Sequence, residues 1–201
     1  MLAEGRKTMS DNGQGEQENA AEYAAALEDF RREKDGFFGN SAESPIPREQ
    51  QGARFPGLRY FAPDLGYRVE ATLRRLEPPE EVQLGSTRGD LRRQIRFAEL
   101  RFPLDGRECR LTGFTDEADE ADEPHELFIP FRDTTSGHES YGAGRYLEVA
   151  YVGESLLTLD FNLAYSPWCA YNAHYSCILP PPENTLPVAV RAGEQTYDGE
   201  H

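Results

Sequence analysis

Lysine is almost missing from this chain. Of 21 basic residues only Lys7 and Lys34 are lysine and the other 19 are arginine, against 36 acidic residues and a formal net charge of −15. A chain so charged has no basic surface with which to neutralise phosphates, which argues against nucleic acid as a partner. A large acidic excess with so little lysine is the pattern of a cytosolic protein from a high-salt organism, where self-repulsion is screened because the Debye length falls to about 3 Å at 1 M salt. Long apolar runs are absent too. None approaches the ~20 residues of a membrane-spanning helix, so no membrane partner is expected. The opening MLAEGRKTMSDNGQGEQ lacks the apolar centre of a secretory signal, and the expected location is the cytoplasm. Cysteine is scarce and odd in number, three, which is no disulfide framework.

What is present suits one domain: 201 residues, 38% hydrophobic and 28% charged. Residues 1–18 are rich in Gly, Asn, Gln and Glu and are expected to be a disordered tail. A helix is expected from Asn19, with Asn19 and Glu22 as a capping box and Tyr23, Leu27, Phe30 and Lys34 at helical spacing. Asp35-Gly36 supplies its stop. An extended proline-bearing loop over 39–56 follows.

The pattern then turns to period two. Strands are expected at 58–61, at 67–73 ending at Pro78-Pro79, and on either side of the Asp105-Gly106 hairpin, with a bulge near Ala98 where the alternation changes parity. Further strands are expected at 127–131, 146–152 and 156–161, with a last one carrying Leu186, Val188 and Val190. The run at 116–126, DEADEADEPHE, has no hydrophobic period and reads as an acidic loop at a hairpin tip. The domain spans 19–195, with a short tail at 196–201. The fold class is mainly β: an antiparallel barrel or sandwich of about eight short strands, one N-terminal helix, and a long C-terminal loop covering one end.

The chemistry concentrates between Leu127 and Leu186. Alternation sends Leu157, Leu159 and Phe161 to the core and puts Thr158, Asp160 and Asn162 on the other face. If Tyr165 and Trp168 cover that face, Asp160 and Asn162 need partners, and Arg145 is the natural one because a guanidinium grips a carboxylate with two bonds. Otherwise the pair organises the loop through backbone amides. Asp133 opens a turn rich in side-chain acceptors. Gly142-Ala143-Gly144 has neither a lysine nor a following helix, which excludes a phosphate loop. Cys169, His174 and Cys177 admit three states: buried thiols, a disulfide or redox pair, and a metal set that lacks a fourth ligand. No nucleophile elbow is present.

Several stretches are specific enough to carry a resemblance: DFN-x-AY-x-P-x-CAY at 160–171, C-x-L-PPPEN-x-L at 177–186, RAGE at 191–194, GL-x-YF at 57–61, YRVEA at 67–71, and PFRD-x-TSG-x-E-x-Y-x-AGRYL at 130–147. Together they resemble the uncharacterised prokaryotic family catalogued as domain of unknown function 1684, over roughly 22–195. The resemblance implies a single family domain and no particular activity or cofactor. In it the centre of the CAY…C segment is variable, so His174 falls outside the motif, and the acidic run is an insertion.

Three functions are compatible with these residues. The first is a small-molecule-binding β domain whose polar and aromatic site is built from Asp133, Tyr141, Arg145, Asp160, Asn162, Tyr165, Trp168 and Tyr171. It requires Arg145 and Asp160 to converge. The second is an enzyme using Asp160 as acid or base, or Cys169 as nucleophile. The third is a structural or interaction protein with no ligand.

Overall fold

In the computed structural model the structure describes residues 11–115 and 124–199, with side chains from Asn19 onward. The start of the expected tail, 1–10, and most of the acidic run, 116–123, lie outside these residues. The run joins two neighbouring antiparallel strands, β3 (Arg107–Thr115) and β4 (Glu126–Phe131).

Six strands form one antiparallel sheet. Besides β3 and β4 they are β1 (Arg68–Gly85), β2 (Leu91–Leu104), β5 (Arg145–Ala150) and β6 (Leu156–Asp160), in the order β5-β4-β3-β2-β1-β6. The sheet curls until its two edges meet. Just beyond β6, Tyr165 exchanges both backbone bonds with Tyr146 of β5, at 2.8 and 3.0 Å, giving a nearly closed barrel. Inward residues of every strand fill it, among them Phe97, Leu100, Phe102, Leu111, Ile129, Leu159 and Phe161. Phe102 and Phe131 both pack on Phe161.

Two sequence cues act as expected. Asp105 and Gly106 take φ of +50° and +68°, the left-handed pair of a tight hairpin between β2 and β3. The β2–β3 register slips between Arg96 and Ala98, at the parity change.

Other boundaries move. Helix α1 runs Asp11–Asn40, so Asn19 lies inside it rather than capping it, and it passes through Asp35-Gly36. The glycine is overridden because the next turn is anchored: Phe38 is buried edge-on against Tyr171 at 5.0 Å, and Asp35 accepts the Leu58 amide at 3.1 Å. β1 does not end at Pro78-Pro79. The prolines sit in a register shift between Arg75 and Glu80, where no ladder bond is required of them. Residues 58–61 form only a bridge from Tyr60 to Glu194. The expected last strand is buried at Leu186, Val188 and Val190 yet joins no sheet. The chain also stays packed beyond 195, with Tyr197 buried against Tyr171. Among the described residues no helix is long and apolar enough to cross a membrane.

Candidate functional site

Arg145 explains how a buried segment can lack a strand partner. It is fully buried on β5, with Asp133 also buried. Its guanidinium donates to Asp133 Oδ2 at 2.8 Å, to the Val190 carbonyl at 2.8 Å, to the Glu194 carbonyl at 3.0 Å and to the Ala192 carbonyl. Asp133 Oδ1 accepts the Thr135 amide at 2.6 Å and the Val190 amide at 3.3 Å. The ion pair thus supplies residues 190–194 with bonds that a ladder would otherwise provide. Gly193 follows from the same docking. It has φ +75°, and a β-carbon there would meet the Ala164 carbonyl oxygen at 2.3 Å.

The expected pairing of Arg145 with Asp160 is therefore replaced. Arg145 is held by Asp133, and Asp160 binds elsewhere: both its oxygens accept from the Tyr23 hydroxyl of α1, at 2.9 and 2.8 Å, and Arg68 approaches to 3.8 Å. Burial, then the bond to Asp160, raises the Tyr23 pKa, so this hydroxyl stays a donor. Asn162 is buried and organises the loop. It accepts the Asp64 amide at 3.0 Å and donates to the Asp64 carbonyl at 2.8 Å and to Asp160 at 3.0 Å. Asn184 plays the same part where β3 and β4 barely pair, bonding Thr112 through both its amide and carbonyl and reaching the Pro130 carbonyl.

The consequence of the Arg145 clamp appears on the other side of residues 190–194. It sends the buried Glu194 carboxylate towards α1, where Lys34 Nζ meets Oε1 at 2.6 Å. Oε2 accepts the Ser166 amide at 2.7 Å and the Tyr171 hydroxyl. The Lys34 ammonium also lies over the Tyr165 ring at 4.9 Å and the Phe38 ring at 5.5 Å. One of the two lysines in the chain thus joins the helix to the barrel.

Above that joint lies a groove of about 850 Å³ between α1 and the β5–β6 edges. Its apolar wall is Ala26, Leu27, Phe30, Phe37, Leu163 and Trp168, and its polar groups are Tyr23, Glu33, Lys34, Glu126, Glu148 and Asp160. Glu148 takes the Tyr165 hydroxyl at 2.7 Å.

Of the eight residues expected to form the site, Asp160, Tyr165 and Trp168 line this groove. Tyr171 lies beneath it, tied in through Glu194. Asp133 and Arg145 form the internal clamp, Asn162 pins the loop, and Tyr141 donates to the Cys169 carbonyl at 3.4 Å. The alternative metal set is not assembled. His174 is exposed and bonds Asn172 Oδ1 at 2.9 Å, and among the described residues no three His, Cys, Asp or Glu side chains come together as ligands. Groove residues missed from sequence include Glu33, Lys34, Phe37, Glu126, Glu148 and Leu163, and the buried Glu194 that pairs with Lys34 was missed too. The scarcity of lysine was the available signal for Lys34.

The family model described as "Protein of unknown function (DUF1684)" matches residues 53–195. The chain belongs to this family. A relative of known structure is an uncharacterized protein of Haloarcula marismortui solved by solution NMR. It is 46% identical, with a TM-score of 0.68, and the match covers 92% of this chain and 99% of that one. Comparison with curated proteins gives no match. The relative's halophilic source agrees with the acidic composition of the present chain.

Proposed function

We propose that this DUF1684 protein binds a small organic cation with an apolar body in the groove between α1 and the barrel edge. One observation carries the reading. Of the eight large apolar side chains that are exposed among the described residues, four (Phe30, Phe37, Leu163 and Trp168) line this single concavity, each 39–48% exposed. Scattered apolar residues need no explanation, but a concave cluster with a polar rim marks a ligand site.

The rim decides the sign of the ligand. Glu33, Glu126, Glu148 and Asp160 line the space, whereas the Lys34 charge is matched by Glu194 and the Arg68 guanidinium reaches Asp160, at 3.8 Å. Carboxylates in the same groove as the exposed rings of Trp168 and Phe37 favour an ammonium or other cationic head. A fatty acid or phosphate ester would meet like charge.

Trp168 is the single tryptophan and lies on the rim, so its emission reports occupancy. The test is a fluorescence titration in concentrated KCl with a short-chain alkyltrimethylammonium ion, below its micelle concentration, and with the alkyl carboxylate of equal length. The expected result is saturable binding of the cation, weakened by Phe37→Ala and by Leu163→Ala, and tighter than that of the carboxylate. A linear response to both, or tighter binding of the carboxylate, overturns the reading and leaves the groove as packing or a protein contact.

A further inference from the structure

Two thiols that the groove does not use lie directly behind it. Cys169 sits in the short 3-10 turn Trp168–Ala170, and its backbone amide donates to the Cys177 sulfur at 3.3 Å. Side-chain hydrogen bonding between the two thiols favours charge on Cys169 over Cys177. The Tyr141 hydroxyl reaches the Cys169 sulfur at 3.7 Å. Thr87 fixes Cys177: its Oγ1 accepts the Cys177 amide at 3.1 Å, and its own amide donates to the Cys177 carbonyl at 2.9 Å. Cys169 is 8% exposed and Cys177 is half-buried, so the pair lies just below the surface.

The arrangement is one-sided. The Tyr141 hydroxyl reaches the Cys169 sulfur, and hydrogen bonding from Cys177 and Thr87 also favours the Cys169 thiolate, against the Cys169 amide that points at Cys177. Hydrogen bonding, led by Cys177, draws the Cys169 thiol down to about 6 against the effect of burial, and the same bond pushes Cys177 up. Cys109 is the contrast within the chain. It is part of the barrel core, and burial raises its pKa. A thiolate beside a second thiol is the chemistry of disulfide exchange rather than of core packing, since attack depends on thiolate character and resolution on a neighbouring sulfur.

We propose that Cys169 and Cys177 are a thiol–disulfide exchange site for small organic disulfides, with Cys169 as the attacking sulfur and Cys177 as the resolving one. The Cys169 thiolate attacks one sulfur of a disulfide RSSR, forming a Cys169–SR mixed disulfide and expelling RS⁻. That RS⁻ takes up the proton that Cys169 had already released to solvent. Cys177 then loses its proton and attacks the Cys169 sulfur, which breaks the mixed disulfide and expels the second RS⁻, and this accepts the Cys177 proton. The dithiol is oxidised by two electrons, and RSSR is reduced to two RSH. The product bond closes the loop 169–177. Tyr175 of that loop stands edge-on to Trp168 at 5.0 Å, so oxidation also reaches the groove rim.

The test uses the reduced full-length protein in concentrated KCl with 2-hydroxyethyl disulfide, an uncharged reagent that the net charge of −15 does not repel. Intact mass and peptide mapping follow the products. The expected outcome is loss of two hydrogens with Cys169 and Cys177 linked, Cys109 still free, and a change in Trp168 emission. Cys177→Ser should stop at one hydroxyethylthio adduct on Cys169. Should that variant not fold, acid-quenched early samples of the wild type must show the adduct on Cys169 before the internal bond appears. The proposal is overturned by three thiols that stay reduced in the native protein, by first capture at Cys109 or Cys177, or by adducts on both cysteines with no internal bond. None of these depends on whether the groove binds a cation.

Discussion

Arg145 shows how one side chain can stand in for a strand. Its bonds to the carbonyls of Val190, Ala192 and Glu194 hold a segment that pairs with no strand, and Asp133 neutralises it in the core. Burial lowers the Arg145 pKa while Asp133 opposes the shift, so the pair is mutually dependent. Arg145→Met leaves the Asp133 carboxylate buried without a counter-charge and orphans three carbonyls. The expected cost is about 3–5 kcal/mol, read as a lower urea midpoint. Arg145→Lys keeps the charge but has no planar fork, and should recover only part of the loss. An unchanged midpoint in Arg145→Met would show that residues 186–194 are held by their apolar side chains alone.

At the scale of elements, the decisive contact is α1 on the barrel. The helical spacing of Tyr23, Leu27, Phe30 and Lys34 was legible in the sequence, and all four line the groove. What could not be read was that the inner face of the helix also carries charge: Arg31 bonds the Phe61 carbonyl at 2.9 Å, and Lys34 bonds Glu194. Their partners lie far along the chain, and Glu194 is placed by the Arg145 clamp, so no local pattern announces them. The strands show the same division. The Asp105-Gly106 hairpin and the bulge at Ala98 are local and were readable. The prolines in β1 and the unpaired run at 186–190 were misread because tertiary partners, not propensity, decide whether a strand continues. The site was read least well. Asp160 and Asn162 were grouped by strand alternation and Arg145 was expected to grip them as a bidentate partner, yet the barrel sends the three to a groove wall, a loop pin and a core clamp. The Lys34–Glu194 joint is open to a double-mutant cycle. Lys34→Met leaves Glu194 buried and unpaired and should cost about 3 kcal/mol, with Glu194→Gln costing less because its other donors remain. The double variant should be less destabilised than the sum of the two, the surplus being the pair's coupling. Strict additivity would mean that the helix is fastened by Leu27 and Phe38 instead.

For the whole molecule the governing quantity is charge. A formal charge of −15 spread over one small barrel repels itself, and this repulsion is a long-range term that salt removes. The Debye length is about 10 Å at 0.1 M and about 3 Å at 1 M, so moving between them leaves only contact pairs interacting. Those that are buried, such as Arg145 with Asp133, are little affected, whereas exposed ones such as Arg32 with Asp29 were weak from the start. Added KCl should therefore raise the melting temperature over this range, because repulsion falls more than attraction. The acidic run provides the control. Changing Asp116, Glu117, Asp119, Glu120, Asp122 and Glu123 to the corresponding amides removes six negative charges and leaves every groove and clamp residue named above unsubstituted. That variant should melt higher than wild type in dilute buffer and gain less from KCl, the two curves converging at high salt. If instead both proteins gain equally, the salt effect is not screening of self-repulsion but strengthening of apolar burial by salt, which acts on the core the two share.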